Sequence, residues 1–182
     1  SLGITAQYFT LNKNWTVEPR AALKWTFNPK HALALAYGLH SRRERLDYYF
    51  VEQEVNGKTE SNRYLNFSKA HHFGLTYDWN INSYMHLKVE PYYQYLFRIP
   101  VEENSSFSII NHQSFYLERI LKNRGSGVNY GIDITLEQYM KNGFYYMITA
   151  SLFKSRYKAG DHIWRNTRLD KNYLLNVLAG KE

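Results

Sequence analysis

The sequence predicts an all-β fold: an antiparallel up-and-down meander of about eight strands, the arrangement of a segment of a large transmembrane β-barrel. Three observations predict it. Apolar and polar residues alternate with a period of two over most of the 182 residues, and only a strand sends successive side chains to opposite faces. The connections between these stretches are alternately short and long. Aromatic residues, 17% of the chain and led by seventeen tyrosines, gather near strand ends, where an interfacial belt of a barrel lies.

The first stretch, Ile4 to Phe9, alternates briefly before a tight polar turn at Asn12-Lys13-Asn14. From Trp15 to Phe27, Val17, Pro19, Ala21, Leu23 and Trp25 share a face opposite Glu18, Arg20, Ala22, Lys24 and Thr26. Pro19 cannot donate to a ladder and prefers an edge, a strand start or a bulge. After a turn at 28–30, His31 to His40 sets Leu33, Leu35, Tyr37 and Leu39 against Ala32, Ala34, Ala36 and Gly38. Residues 41–67 are polar, with five basic and five acidic side chains that cancel, and read as a long loop with a hairpin extension around Asn56-Gly57.

Lys69 to Trp79 and Tyr84 to Phe97 are two further strands around a turn at 80–83. The second places Met85, Leu87, Val89, Pro91, Tyr93, Tyr95 and Phe97 opposite His86, Lys88, Glu90, Tyr92 and Gln94. Residues 98–124 form a second long connection, in which Phe115 to Lys122 is compatible with a short helix. The clearest unit is the hairpin from Gly125 to Tyr157. Val128, Tyr130, Ile132, Ile134 and Leu136 oppose Asn129, Gly131, Asp133, Thr135 and Glu137, and Asn142-Gly143 within the turn at 140–143 is a strong hairpin signal. A third long loop at 158–171 precedes a last strand from Tyr173 to Gly180. Long connections at 41–67, 98–124 and 158–171 thus share one rim, with the short turn at 12–14 falling in their series; the tight turns at 28–30, 80–83 and 140–143 share the other, as in barrels with short periplasmic turns and long extracellular loops.

Composition narrows the chemistry. The chain has no cysteine, so it forms neither disulfides nor thiolate metal sites. No apolar run reaches the ~18 residues of a transmembrane helix, which leaves barrel strands of ~9–11 residues as the membrane-spanning alternative. The charged faces, with Glu18, Arg20, Lys88, Glu90, Asp133 and Glu137, suit a water-filled or plugged lumen. The same period also fits a self-contained soluble or surface-attached β-sheet binding module with its apolar face inside. A small closed barrel would need its first and last strands to pair.

The stretches VEPRAALKWTFNPKHALALAYGLHS, SKAHHFGLTYDWNINSYMHLKVEPYYQYLFRIPV and GSGVNYGIDITLEQYMKNGFYYMITASLFKSRYKAGD, with the RNT that follows, cover most of residues 15–180. As a set they resemble the C-terminal barrel portion of TonB-dependent outer-membrane receptors, especially the Bacteroidetes type. The resemblance implies a barrel of about 22 strands plugged by a separate N-terminal domain. Residues 1–182 then form a partial barrel without plug or closing strands. The implied location is the bacterial outer membrane. The implied partners are its lipid and lipopolysaccharide, the protein's own plug and remaining strands, TonB through N-terminal parts, and a small-molecule or glycan ligand. Siderophore, cobalamin, glycan and peptide importers all fit. The implied role is nutrient import, not catalysis.

Candidate sites are few. Lys154, Arg156, Lys158, Arg165, Arg168 and Lys171 crowd one loop with only Asp161 and Asp170 against them. Arg156, Lys158, Arg165 and Arg168 are the candidate ligand-binding residues, for lipopolysaccharide phosphates or an anionic substrate. An ordinary solvated loop has the same composition. His71 and His72 are adjacent, so on a regular strand they face opposite ways and cannot chelate one metal ion. Gly125-Ser126-Gly127 leads into a strand, not the helix a phosphate loop needs. Glu90, Asp133 and Glu137 read as lumen salt-bridge partners of Arg20, Lys24 and Lys88 before they read as an acid-base pair. No catalytic triad and no cofactor motif stand out. The basic residues lack a stacking platform for nucleic acid.

Overall fold

The computed structural model describes all residues of the chain except Asn56. Its main sheet follows the chain: β1 (Leu2–Phe9), β2 (Asn14–Asn28), β3 (His31–Arg42), β6 (Ser68–Asn82), β7 (Met85–Val101), β8 (Lys122–Lys141) and β9 (Phe144–Lys158) each pair antiparallel with their neighbour. The far edge is shared by β10 (Trp164–Asn166) and β11 (Tyr173–Lys181), both paired with β9. A separate hairpin, β4 (Glu52–Val55) with β5 (Lys58–Ser61), stands in the first long loop. It agrees with the hairpin expected around Asn56-Gly57, although Asn56 itself lies outside the described residues. Among the described residues no ladder joins β1 to β11, so the sheet is open.

The turn chemistry explains the tight rim. Asn142 and Gly143 both have positive φ, 52° and 77°, as a two-residue type I′ hairpin demands. The turn is therefore shorter than the expected 140–143, and Lys141 pairs Phe144 directly. The register then fixes faces across six strands. Leu23 lies opposite Leu35, Leu35 opposite Leu75, and Ile132 opposite Leu152. One step nearer the turns, Leu33 faces Tyr77 and Ile134 faces Ala150. A one-residue slip anywhere would turn this apolar set to the opposite face.

Prolines decide where ladders stop. Pro19 pairs with Ile4 of β1, but the β2–β3 ladder begins only at Arg20. Beyond that point side chains take over. The Glu18 carboxylate accepts the Ser41 amide at 3.0 Å and the Gln7 side-chain amide at 2.6 Å, and Thr16 bonds the Ser41 hydroxyl at 2.9 Å. Glu18 and Thr16 are buried as a result. Pro91 likewise pairs with Ile132 of β8 while the β6–β7 ladder skips it. Close backbone approach also demands Gly131, where a Cβ would sit 2.5 Å from the Leu152 carbonyl and 2.9 Å from the Tyr92 hydroxyl.

The long loops make their own core at the other rim. Tyr48, Tyr49, Leu65, Ile109, Leu117 and Leu121 pack with Ile99 into one buried cluster, against Phe9 and Leu96 of the sheet. Phe115 to Lys122 is not helical; the helical turn in this connection is a short 3-10 segment at Ile109–Asn111. The reason is that its backbone finds partners elsewhere. The Asn62 amide donates to the Arg119 carbonyl at 2.8 Å and accepts from the Leu121 amide at 2.7 Å, while the Gln53 amide donates to the Glu118 carbonyl. With these groups satisfied, an extended path buries Leu117 and Leu121 without a helix.

Asn62→Ala would orphan two backbone groups, the Leu121 one in a buried setting, at a cost of about 1–3 kcal/mol. We expect faster amide exchange across residues 115–121 and unchanged exchange in β7 to β9. Exchange followed by mass spectrometry checks it.

Candidate functional site

The two faces of the sheet differ in kind. On one face Leu23, Trp25, Leu35, Leu152, Leu175 and Val177 are all more than half exposed. The aromatic residues sit at its margins. His31 stacks on Tyr77 and Trp79 at 5.9 and 5.7 Å, and Trp25 meets Phe27 edge-on at 4.8 Å, all beside the tight turns. Tyr8 faces Trp15 at the other rim. From Trp15 to Trp25 the strand rises ~33 Å, which a tilt of ~40° reduces to ~25 Å, the height of the lipid-facing band of a membrane barrel.

The opposite face carries Glu18, Arg20, Lys88, Glu90, Asp133 and Glu137, all on one side by the register. Arg20 pairs Glu18 at 3.0 Å, and Lys88 pairs Glu90 at 2.8 Å. Glu90 also accepts from Thr76 at 3.2 Å and lies directly opposite Asp133. Nearer the loops an uncharged polar chain crosses the strands. Asn129 donates to Gln94 at 3.1 Å, Ser155 donates to Asn129 at 2.7 Å, and Thr167 donates to Ser155 at 2.8 Å. Such a face is built for polar contact.

The four residues singled out in the third loop separate. Arg156 and Lys158 of β9 lie on the apolar face, level with Val128 and Ser126. Their cationic groups lie 5.8 and 5.6 Å from the Trp164 ring centre. Arg165 is engaged instead by Asp161, with bonds of 2.6 and 2.9 Å, and this pairing holds the Asp161 carboxyl below its ordinary range. The Arg168 amide donates to Asn111 of the second loop. One site therefore does not contain all four. His71 and His72 do face opposite ways: His71 bonds Tyr37 and stacks on Phe97, whereas His72 meets His40 at 4.4 Å.

A basin unmarked in the sequence opens between the first two loops. Arg42, Arg43, Glu44, Arg45, Tyr48 and His112 line a cavity of about 560 Å³. Buried Glu44 is fixed by the Ser68 hydroxyl at 2.5 Å and reached by Arg42 at 3.4 Å. Arg45 forms a two-pronged pair with Asp47, both bonds 3.1 Å, and lies over Tyr48 and Phe115. Burial pushes the Tyr48 hydroxyl up, so it stays protonated. A charge count over 41–67 hides this basin. Three of the five basic residues precede Asp47, and the fold turns them to one cavity.

No family model matches the sequence, and no curated protein is similar to it. Solved structures do resemble the fold. The ferric-catecholate import receptor Fiu of E. coli K12, in its closed form, superposes with a TM-score of 0.67 over 92% of this chain at 10% identity. The FrpB iron transporter of Neisseria meningitidis, F3-3 variant, superposes with a TM-score of 0.57 over 82% at 14% identity. The chain spans about a fifth of their length, 22% and 21% respectively. The fold is that of a segment of such a barrel wall.

The Asp161–Arg165 pair gives a pH expectation. A depressed carboxyl contributes stability above its unfolded value near 3.8, and loses it as pH falls through the lower folded value. The third loop should hold its protection from pH 7 to about 5 and lose it toward about pH 3. Asp161→Asn should remove that step; limited proteolysis across pH reads both.

Proposed function

We propose that this chain is a wall segment of an outer-membrane receptor that imports a nutrient, in the manner of TonB-dependent receptors. The single observation carrying this reading is the continuous exposed apolar face bounded by aromatic residues at both rims. A self-contained soluble module would have to cover that face, and none of the described loops does so. The similarity of fold to an import receptor and an iron transporter supports the role and favours an iron-bearing nutrient.

In this reading residues 1–182 are one part of the barrel. The polar face looks into a lumen. Asp133 and Glu137 meet a plug domain there, with Arg20–Glu18 and Lys88–Glu90 as ready-made polar partners. Tight turns lie at the periplasmic rim, and the loops between β3 and β6, β7 and β8, and β9 and β11 lie outside. Ligand would be captured by those loops and released inward when TonB, acting through the plug, rearranges it. The apolar face meets outer-membrane lipid, and Arg156 and Lys158, held against Trp164, meet lipopolysaccharide phosphates at its outer margin by charge-assisted hydrogen bonds.

Deleting the gene should abolish uptake of one nutrient class when siderophore, cobalamin, glycan and peptide uptake are compared, with iron chelates first. Uptake unchanged for all four would refute the reading. Arg156→Gln with Lys158→Gln should weaken lipopolysaccharide retention during purification and leave uptake intact; measuring phosphate per purified protein decides it.

A further inference from the structure

We infer that His40 and His72 bind one divalent transition-metal ion on the polar face of the sheet, bridging β3 to β6. The site stands on these side chains alone and goes beyond the import reading, so no uptake result bears on it.

Register comes first. Gly38 lies directly across from His72, and His40 across from Ala70. The two histidines are therefore diagonal neighbours on one face, with Cα atoms about 7–8 Å apart. That separation lets two imidazoles converge on one point between the strands. Their ring centres are 4.4 Å apart, with planes at 44°. Two imidazoles bound to one ion at about 2.0–2.1 Å have ring centres roughly 4.5–5 Å apart. Small ring rotations therefore suffice to close the site. Gly38 makes the convergence possible: a Cβ there would lie 2.7 Å from the His40 Nε2, so the ring leans into the space that the glycine leaves.

Availability comes second. Other histidine nitrogens are engaged at 2.8–3.2 Å: His31 with Tyr77, His71 with Tyr37, His86 with Asp78 and His112 with the Tyr116 carbonyl. Among the described residues neither His40 nor His72 has such a partner; each meets the other instead. Both are half-buried, and a neutral imidazole without a partner keeps a lone pair free for a metal ion. The arginines nearby are neutralised, Arg20 by Glu18 at 3.0 Å and Arg42 by Glu44 at 3.4 Å. Lys69 lies on the opposite face.

Access comes third. The pair opens onto a cavity of about 520 Å³ lined by Arg20, Gly74, Tyr92 and Gln94, and onto a second of about 560 Å³ that reaches Ser68 and Ile110. Both leave room for water to complete the coordination shell. Two nitrogen donors select Cu²⁺ above Ni²⁺ and Zn²⁺, and discriminate against Ca²⁺ and Mg²⁺, which take oxygen ligands. No carboxylate among the described residues backs either ring, so the expected Kd is on the order of 1–10 µM.

The test uses the full-length protein carrying this chain, in detergent, stripped with EDTA, with Cu²⁺ as probe. Histidines elsewhere in the protein add their own signal, so the site is read as the difference between wild type and variants. Electron paramagnetic resonance of that difference should show one Cu²⁺ held by two imidazole nitrogens. His40→Gln and His72→Gln should each weaken it at least about tenfold. His71→Gln, on the opposite face, should leave it unchanged, and excess Zn²⁺ but not Ca²⁺ should displace the copper. His40 and His72 are not buried, so both variants are expected to fold; circular dichroism verifies this, and either one suffices. Wild type binding Cu²⁺ no tighter than about 100 µM, both folded variants binding as tightly as wild type, or an equal loss in His71→Gln, overturns the inference.

Discussion

The antiparallel register is the constraint on which everything else depends. Side chains of a strand alternate between faces, so a fixed register sorts the whole sheet at once into an apolar and a polar surface. The ladder from β1 to β9 keeps Leu23, Leu35, Leu75, Pro91, Ile132 and Leu152 on one face. It keeps Arg20, Gly38, His72, Gln94, Asn129 and Ser155 on the other. Neither set makes sense alone. An exposed apolar sheet face in water invites aggregation, and a lone polar face has no core to build. In the proposed reading the two together form a wall between hydrocarbon and a polar interior.

The rim is a different problem with a different solution. Lipid has no water to satisfy stray backbone groups, so irregular chain is confined to the ends of strands. Here the long loops pack into their own cluster around Tyr49, which is almost fully buried. Side chains such as Asn62, Gln53 and Asn123 bond the loop backbones in place of a ladder. Arg42, Arg43 and Arg45 follow directly from β3, and Glu44 tethers their segment to Ser68 at the start of β6.

Much of this was legible in the sequence. The period of two places nearly every residue of β2, β7 and β8 on the observed face, and Asn142-Gly143 gives the hairpin its turn. Pro19 cannot donate to a ladder, and the β2–β3 ladder does stop beside it. What stayed illegible depends on long-range contact. Phe115 to Lys122 is compatible with a helix in sequence alone, but Asn62, more than fifty residues away, holds that backbone extended. Arg165 looked like a free ligand-binding cation; Asp161, four residues earlier, already holds it. The arginine basin was averaged away by acids elsewhere in the same loop.

The central claim is that the apolar face meets lipid, and these 182 residues contain no cysteine, so a single cysteine can be placed here once any elsewhere in the full-length protein have been replaced. Single cysteines placed from 148 to 153 along β9 in the full-length protein can carry nitroxide labels in reconstituted bilayers. The account predicts that collision with oxygen, which partitions into hydrocarbon, is high at positions 148, 150 and 152 and low at 149, 151 and 153. A flat profile, or water-soluble quencher reaching the even positions as readily as the odd ones, would contradict it.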